Sequence, residues 1–189
     1  MPGISDALRK ILRILEDGQV GYMLIGGQAL PAYGRVRASL DIDIAVAMPE
    51  RDVVERLRAR IEAAGFDLPS DLIESGVACL YLFDRQNLVD VELWFRPDGV
   101  DFEQALRRRI RRRVLPDLSC WIIGPEDFII NKLARRDRGE IDEADVVSVL
   151  SINAEKLDLE YLRRRAQEVG VMEMLDALME RIQSLADEE

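Results

Sequence analysis

Two carboxylates one residue apart inside an apolar run constrain this chain more than any other feature. Asp41 and Asp43 alternate with Leu40, Ile42 and Ile44 and are followed by Ala45 and Val46, a composition that predicts a strand. Side chains along a strand alternate between faces, so both acids project to the same side, roughly 7 Å apart. Like charges held this close on a sheet are unfavourable unless a cation shares them. A hard divalent ion such as Mg²⁺ is the usual partner for oxygen ligands. The pattern fits equally an edge strand whose acidic face is merely solvated, so its surroundings decide between the two.

The rest of the composition narrows the chemistry. A chain of 189 residues accommodates one well-buried core, or one domain with a helical appendage. Its 48% hydrophobic and 33% charged residues describe a globular protein rather than a disordered one. No apolar run approaches 18 residues, and the N-terminal segment is amphipathic with charges throughout, so no membrane association and a cytoplasmic location are expected. There is no histidine, and Cys79 and Cys120 are the only cysteines. A Ser-His or Cys-His nucleophile system and a His-ligated zinc site are excluded, which leaves carboxylate, Arg, Lys and hydroxyl chemistry. A net charge of −10 argues against a general nucleic-acid coat, because such binding is driven by excess Lys and Arg.

Along the chain, Ile4, Leu8, Ile11, Leu12 and Leu15 recur at helical spacing before Asp17-Gly18. Val20 to Ile25 reads as a buried strand, Gly26-Gly27 as a sharp turn, and Gln28 to Tyr33 as a short helix ended by Gly34. Leu40 to Ala47 is the second strand, closed by Met48-Pro49. A helix is predicted from Glu50 to Ala64, with Val53, Val54, Leu57 and Ile61 on one face and Gly65 as its cap. After a loop around Leu68 to Gly76, Val77 to Phe83 and Leu88 to Phe95 form a hairpin. A helix over Asp101 to Arg109 and a strand pair, Ile110 to Leu115 and Leu118 to Ile123, follow. Gly124-Pro125-Glu126-Asp127 is a helix start, and helices are expected over Phe128–Arg136, Asp142–Leu150, Leu159–Val169 and Met172–Leu185. The expectation is an α+β fold in which a mixed β-sheet with flanking helices is followed by a helical C-terminal region. The division falls as residues 1–138 and a region 139–189 packed on them.

Beyond Asp41 and Asp43, Gly26-Gly27 between strand and helix lets backbone approach a ligand and aims free amides at it, which suits phosphate; it also fits a purely structural turn. Asp90 stands between Val89 and Val91 in a predicted interior strand, and Glu92 shares its face. A third acid beside Asp41 and Asp43 makes a cluster able to hold two metal ions on a transferring phosphoryl group, although an ordinary polar strand face has the same pattern.

Taken together, the Gly-Gly turn, the short helix, Arg37-x-Ser39-x-Asp41-x-Asp43 and the later Val-Asp-Val strand resemble the DNA polymerase β-like nucleotidyltransferase superfamily. Within it, GGQALPAYGRVRASLDIDIAV with GPEDFIINKLARR and an acidic helix carrying Asp142 and Asp145 is similar to the AbiEii/MNT-type proteins, some of which act in toxin–antitoxin systems. The resemblance covers roughly residues 20 to 150. It implies a nucleotidyltransferase core in which Asp41, Asp43 and Asp90 are catalytic and ligate Mg²⁺, two ions being expected, with Asp90 on the metal next to the attacking hydroxyl and helping to deprotonate it. It also implies that Gly26 and Gly27 cradle the phosphates of a nucleoside triphosphate and that Arg37, Ser39 and Lys132 assist in binding it. Gly27 departs from the many members with Ser there. The implied activity is transfer of a nucleoside monophosphate from an NTP to a hydroxyl of RNA, protein or a small molecule. The alternative is a non-catalytic nucleotide-binding or antitoxin-type module on the same fold, and a toxin–antitoxin partner protein belongs to either reading.

Two features remain open. Arg107 to Arg109 and Arg111 to Arg113 either meet RNA or an acidic partner, or balance surface acids. The stripe Met172, Leu175, Met179, Ile182 and Leu185 is suited to core packing or to a homodimer seam.

Overall fold

The first helix follows from its apolar spacing. In the computed structural model, which describes residues 2–47, 51–68 and 78–187, α1 (Pro2–Asp17) buries Leu8, Ile11, Leu12 and Leu15. It lies beside α2 (Arg51–Ala63), whose Leu57 and Ile61 are buried. The turn at Met48-Pro49, the helix start at Glu50, most of the loop from Leu68 to Gly76, and Val77 fall outside the described residues.

Among the described residues seven strands form one mixed sheet: β1 (Tyr22–Leu24), β2 (Asp41–Val46), β3 (Phe66–Asp67), β4 (Cys79–Asp84), β5 (Val89–Trp94), β6 (Ile110–Leu115) and β7 (Leu118–Ile122), in the order β3-β4-β5-β2-β1-β7-β6. The expected hairpin is β4–β5, and the second strand pair is β6–β7. The two-residue β3 has no sequence counterpart, since a strand that short carries no periodicity. At the centre, β2 runs antiparallel to β1 and parallel to β5. Ile42, Ile44, Leu80, Leu82, Val91 and Leu93 are all buried, on the alternate positions of the sheet face that α1 covers. The acids of β2 occupy the opposite face.

The short helix is a 3₁₀ helix over Gly27–Tyr33 that contains Pro31. Proline has no amide hydrogen to give an α-helical ladder. Gly34 closes the segment with φ 94°, its N–H reaching the carbonyls of Leu30 and Pro31.

Five further helices are α3 (Phe102–Arg108), α4 (Pro125–Ala134), α5 (Glu140–Asn153), α6 (Leu159–Val169) and α7 (Met172–Asp187). Helix α4 is buried along most of its length and contacts α5 and α6, while α7 contacts α5 and α6. Leu175 and Leu178 are buried and Met172, Met179 and Ile182 half-buried in a hydrophobic cluster that also takes in α1 and the sheet. The α7 stripe is therefore core, with Leu185 exposed at its end. No described helix is long and apolar enough to cross a membrane.

Asp127, at the start of α4, is wholly buried. Its Oδ1 accepts a 2.7 Å hydrogen bond from the Tyr161 hydroxyl, and Oδ2 has no partner. Burial pushes its carboxyl up to about 6, against the pull of Tyr161, Arg108 and Arg165. A folded value above the unfolded one stabilises most below pH 4, and that stability is lost as pH rises toward 6. Asn at this position keeps the Tyr161 contact without the charge. Asp127→Asn is expected to gain on the parent protein as pH rises from 4 to 7, by about 3 kcal/mol at most. Urea midpoints across that range check this; a difference independent of pH would refute it.

Candidate active site

The parallel pairing of β2 with β5 sets Asp41 opposite Asp90 and Asp43 opposite Glu92. Across the β4–β5 ladder, Tyr81 stands opposite Glu92 and Phe83 opposite Asp90. Register partners in adjacent strands share a face, so four carboxylates form a two-by-two block. Three of them, Asp41, Asp43 and Glu92, line a cleft of about 200 Å³ together with Gly26, Tyr81, Trp94, Pro97, Asp98, Asn131, Lys132, Arg135 and Asp137. Asp90 is exposed and does not line it. The acid that β5 presents to the cleft is thus Glu92. Its signal in the sequence is its place two residues after Asp90 on the same face, together with Trp94 beyond it.

The electrostatics follow from this block. Burial raises the Asp43 carboxyl, and the neighbouring Asp41 charge raises it further, while Lys132, Arg135 and Trp94 oppose the shift. Glu92 is pushed up to about 7, again first by burial and then by Asp43; Trp94 Nε1 donates to Glu92 Oε2 at 3.0 Å. Asp41 is held differently, its Oδ1 accepting from Ser39 Oγ at 2.6 Å. Such a cluster favours holding either a proton or an added cation.

The two glycines admit these groups. Gly26 has φ 63°, and a Cβ there falls 1.9 Å from Asp43 Oδ2. A Cβ on Gly27 falls 2.5 Å from Ser39 Oγ and 3.1 Å from Arg37 Nη1. The Gly-Gly turn is therefore pressed against the carboxylate strand and against the linker that leads into it.

On the other side, Arg37 grips Asp145 of α5, Nε to Oδ1 at 3.1 Å and Nη2 to Oδ2 at 3.0 Å. Lys132 of α4 is buried, with Nζ 2.7 Å from Asp142 Oδ1 and 3.5 Å from Asp145 Oδ2. Arg135 pairs with Asp137 at 3.0 Å and reaches Asp142 at 3.6 Å. These cations line a second hollow of about 480 Å³ with Ser39, Gly139, Glu140, Ile141 and Asp142. It shares Asp41, Asp43, Lys132, Arg135 and Asp137 with the first.

Of the residues expected from the sequence, Asp41, Asp43, Ser39, Arg37, Lys132 and Gly26 line these two hollows, Gly27 lies behind Ser39, and Asp90 stands outside. The arginine run is dispersed. Arg108 stacks on Tyr161 and reaches Glu126 and Asp158, Arg109 lies over Trp121, and Arg111 to Arg113 are exposed on the edge strand β6.

A divalent ion fits this chemistry. Asp41 and Asp43 project together, and the like charge between them is only partly offset by Lys132 and Arg135. Among the described residues no three acidic or thiol side chains are gathered closely enough to cage a metal by themselves. Magnesium in phosphate-handling sites is commonly held by one or two carboxylates, with phosphate oxygens and water completing the shell.

The Gly26 contact generates a paired test. Gly26→Ala meets both an unfavourable φ and the Asp43 carboxylate, whereas Gly170→Ala meets only its φ of 79°, with open space around it. Gly170→Ala is expected to cost about 1 kcal/mol and Gly26→Ala roughly 2–4 kcal/mol. The latter corresponds to a fall on the order of 10 °C in Tm. Equal melting of the two variants would show that Asp43 does not need Gly26.

The fold recurs in solved nucleotidyltransferases. The lincosamide antibiotic adenylyltransferase LnuA, with lincomycin bound, superposes with a TM-score of 0.54 at 17% identity, covering 77% of this chain and 95% of its own. ANT(2")-Ia in complex with adenylyl-2"-tobramycin gives 0.56 at 20% identity, over 86% and 96%. An antigenic nucleotidyltransferase-like protein from Paracoccidioides brasiliensis gives 0.54 at 17% identity, over 92% and 91%. Among curated proteins, no sequence matches this chain. At these identities the likeness is one of fold, and it does not single out the AbiEii/MNT branch. The family model described as "Nucleotidyl transferase of unknown function (DUF2204)" matches residues 4–184, and this chain belongs to that nucleotidyltransferase family.

Proposed function

We propose that this chain transfers a nucleoside monophosphate from an NTP to an acceptor hydroxyl, with Mg²⁺ held by Asp41 and Asp43. The observation that carries the reading is the meeting of two hollows at those two carboxylates, one lined by Arg37, Ser39, Lys132 and Arg135, the other by Glu92, Tyr81 and Trp94. The triphosphate belongs on the cationic side. Lys132 has three donors, of which Asp142 and Asp145 engage two, and Ser39 and Arg37 flank the entry to β2. Gly26 and Gly27 bring the backbone of the turn up to the same corner.

The acceptor belongs on the β4–β5 side. Its hydroxyl oxygen attacks the α-phosphorus, the bond from that phosphorus to the bridging oxygen breaks, and pyrophosphate leaves. Glu92, whose carboxylate is raised toward neutrality, takes the hydroxyl proton, the role that the resemblance implies for Asp90. A bound divalent ion supplies charge neutralisation for the phosphates. Positioning and electrostatics dominate such transfers, so the absence of histidine is no obstacle.

The AbiEii/MNT resemblance brings with it a toxin–antitoxin partner and an RNA or protein acceptor. The antibiotic-bound structures named above favour a small molecule instead. One observation supports the non-catalytic rival: Arg37 and Lys132 are already matched by Asp145 and Asp142. An NTP with Mg²⁺ that raises Tm without labelling any acceptor would favour that rival.

For the catalytic reading, Asp43→Asn is expected to lower Mg²⁺-dependent nucleotide transfer by at least about a thousandfold, with Tm unchanged or higher because a buried charge is removed. Wild-type transfer rates in that variant would end the assignment. Glu92→Gln is expected to cost about 10²–10⁴-fold in kcat, and Asp90→Asn less than about threefold, as expected for an exposed residue. The reverse ranking in a single-turnover assay would return the base role to Asp90.

A further inference from the structure

We infer that the acceptor is a small, hydroxyl-bearing organic cation, such as an amino sugar or aminocyclitol. The inference rests on the nucleotidyltransferase reading above and names the substrate class of its second hollow. Once Asp41 and Asp43 are assigned to the metal, the acceptor side of the cleft still carries Glu92 and Asp98. Asp98 gives its backbone carbonyl to Asn131 Nδ2 at 2.9 Å, while among the described residues its carboxylate has neither ion pair nor hydrogen bond. The basic residues of the cleft, Lys132 and Arg135, are engaged by Asp142, Asp145 and Asp137. The residues that line this cleft and not the cationic hollow, among them Tyr81, Glu92, Trp94, Asp98 and Asn131, include no basic side chain for an anionic acceptor.

Two aromatic rings complete the arrangement. Tyr81 stands opposite Glu92 on the neighbouring strand and is 59% exposed, and Trp94 is fixed by its hydrogen bond to Glu92. Cationic side chains lie over the rings of Phe66, Tyr161, Trp121 and Phe128; among the described residues none lies over Tyr81 or Trp94. The exposed Tyr81 ring and the half-buried Trp94 ring line the cleft with Glu92 and the unpaired Asp98 carboxylate, an arrangement that suits an ammonium group. In this arrangement Asp98 and the rings hold the ammonium, and Glu92 takes the proton of a hydroxyl on the same molecule as its oxygen bonds to the α-phosphorus and pyrophosphate departs.

Size and topology oppose a nucleic-acid acceptor. A cleft of about 200 Å³ suits a small molecule or part of one. The exposed arginines of β6 lie at the far edge of the sheet, three strand spacings from β2 in the order β2-β1-β7-β6, or roughly 14 Å, and line neither hollow.

The test uses the full chain with Mg²⁺ and α-labelled NTPs. The acceptors are glucosamine, tobramycin, their N-acetylated forms, an RNA oligonucleotide with a free 3′-hydroxyl, and a Lys-rich peptide containing Ser and Tyr. Label is expected on an amine-bearing small molecule, with kcat/KM at least about tenfold above its N-acetylated form. Asp98→Asn is expected to raise KM for that amine about tenfold, with kcat and the NTP-induced rise in Tm little changed. Equal labelling of the acetylated forms, preferential labelling of RNA or peptide, or an unchanged KM in Asp98→Asn overturns the inference. NTP binding with no amine labelled also overturns it and leaves the fold's nucleotide site standing. Failure of NTP with Mg²⁺ to bind overturns the underlying reading instead.

Discussion

The Asp145 carboxylate, buried on α5, holds the site in register. It is wholly buried and surrounded by Arg37, Lys132 and, at 3.7 Å, Arg35. Charges taken out of water cost several kcal/mol each, so a buried cluster of this kind is weak evidence of stability in itself. Its consequence is geometric. Arg35 and Arg37 belong to the linker between the 3₁₀ helix and β2, Lys132 belongs to α4, and Asp145 lies more than a hundred residues beyond that linker. Removing the carboxylate takes a shared partner from three cations at the junction of all three elements, although Lys132 keeps Asp142. Because Ser39 sits in the same linker and holds Asp41 at 2.6 Å, the position of the first carboxylate of β2 depends on a helix far along the chain.

The second constraint is local and runs in the opposite sense. Asp43 lies where an apolar side chain would pack without electrostatic cost, next to Asp41 and opposite Glu92, and its carboxyl rises accordingly. Gly26 gives up side-chain packing so that Asp43 fits. Local rules broken in concert, and only partly compensated inside the chain by Lys132 and Arg135, mark a place suited to a ligand. The chemistry that suits such a place is a cation.

The elements were largely legible, because the helices show apolar spacing near 3.6 residues and the strands are bounded by Gly, Pro and Asp. Asp41, Asp43 and Lys132 stood out as charges set in apolar runs, and the structure brings them together. What the sequence concealed depends on pairing. Asp90 and Glu92 are equivalent by alternation, and only the β2–β5 register and the cleft beside Trp94 show that Glu92 faces inward. The ion pairs of Lys132 with Asp142 and Asp145 of α5 have no sign in the sequence around Lys132. That Gly27 leaves room for Ser39, 2.5 Å from where its Cβ would stand, has no sign in the sequence. In each case the missing information was a contact between residues distant in sequence.

A perturbed acid is not by itself a site, as Asp127 and Asp43 show side by side. Burial raises both. Asp127 is sealed under Tyr161, near Arg108 and Arg165, and its unpaired oxygen faces no hollow described here; α4 carries its cost as part of the core. Asp43 differs in two respects: its neighbours include like charges, and the space in front of it is open to both hollows. Asp127 lines neither hollow, whereas a cation added at Asp43 relieves Asp41 and Glu92 at the same time. The combination of like charge and access, rather than the size of any shift, assigns the chemistry to β2.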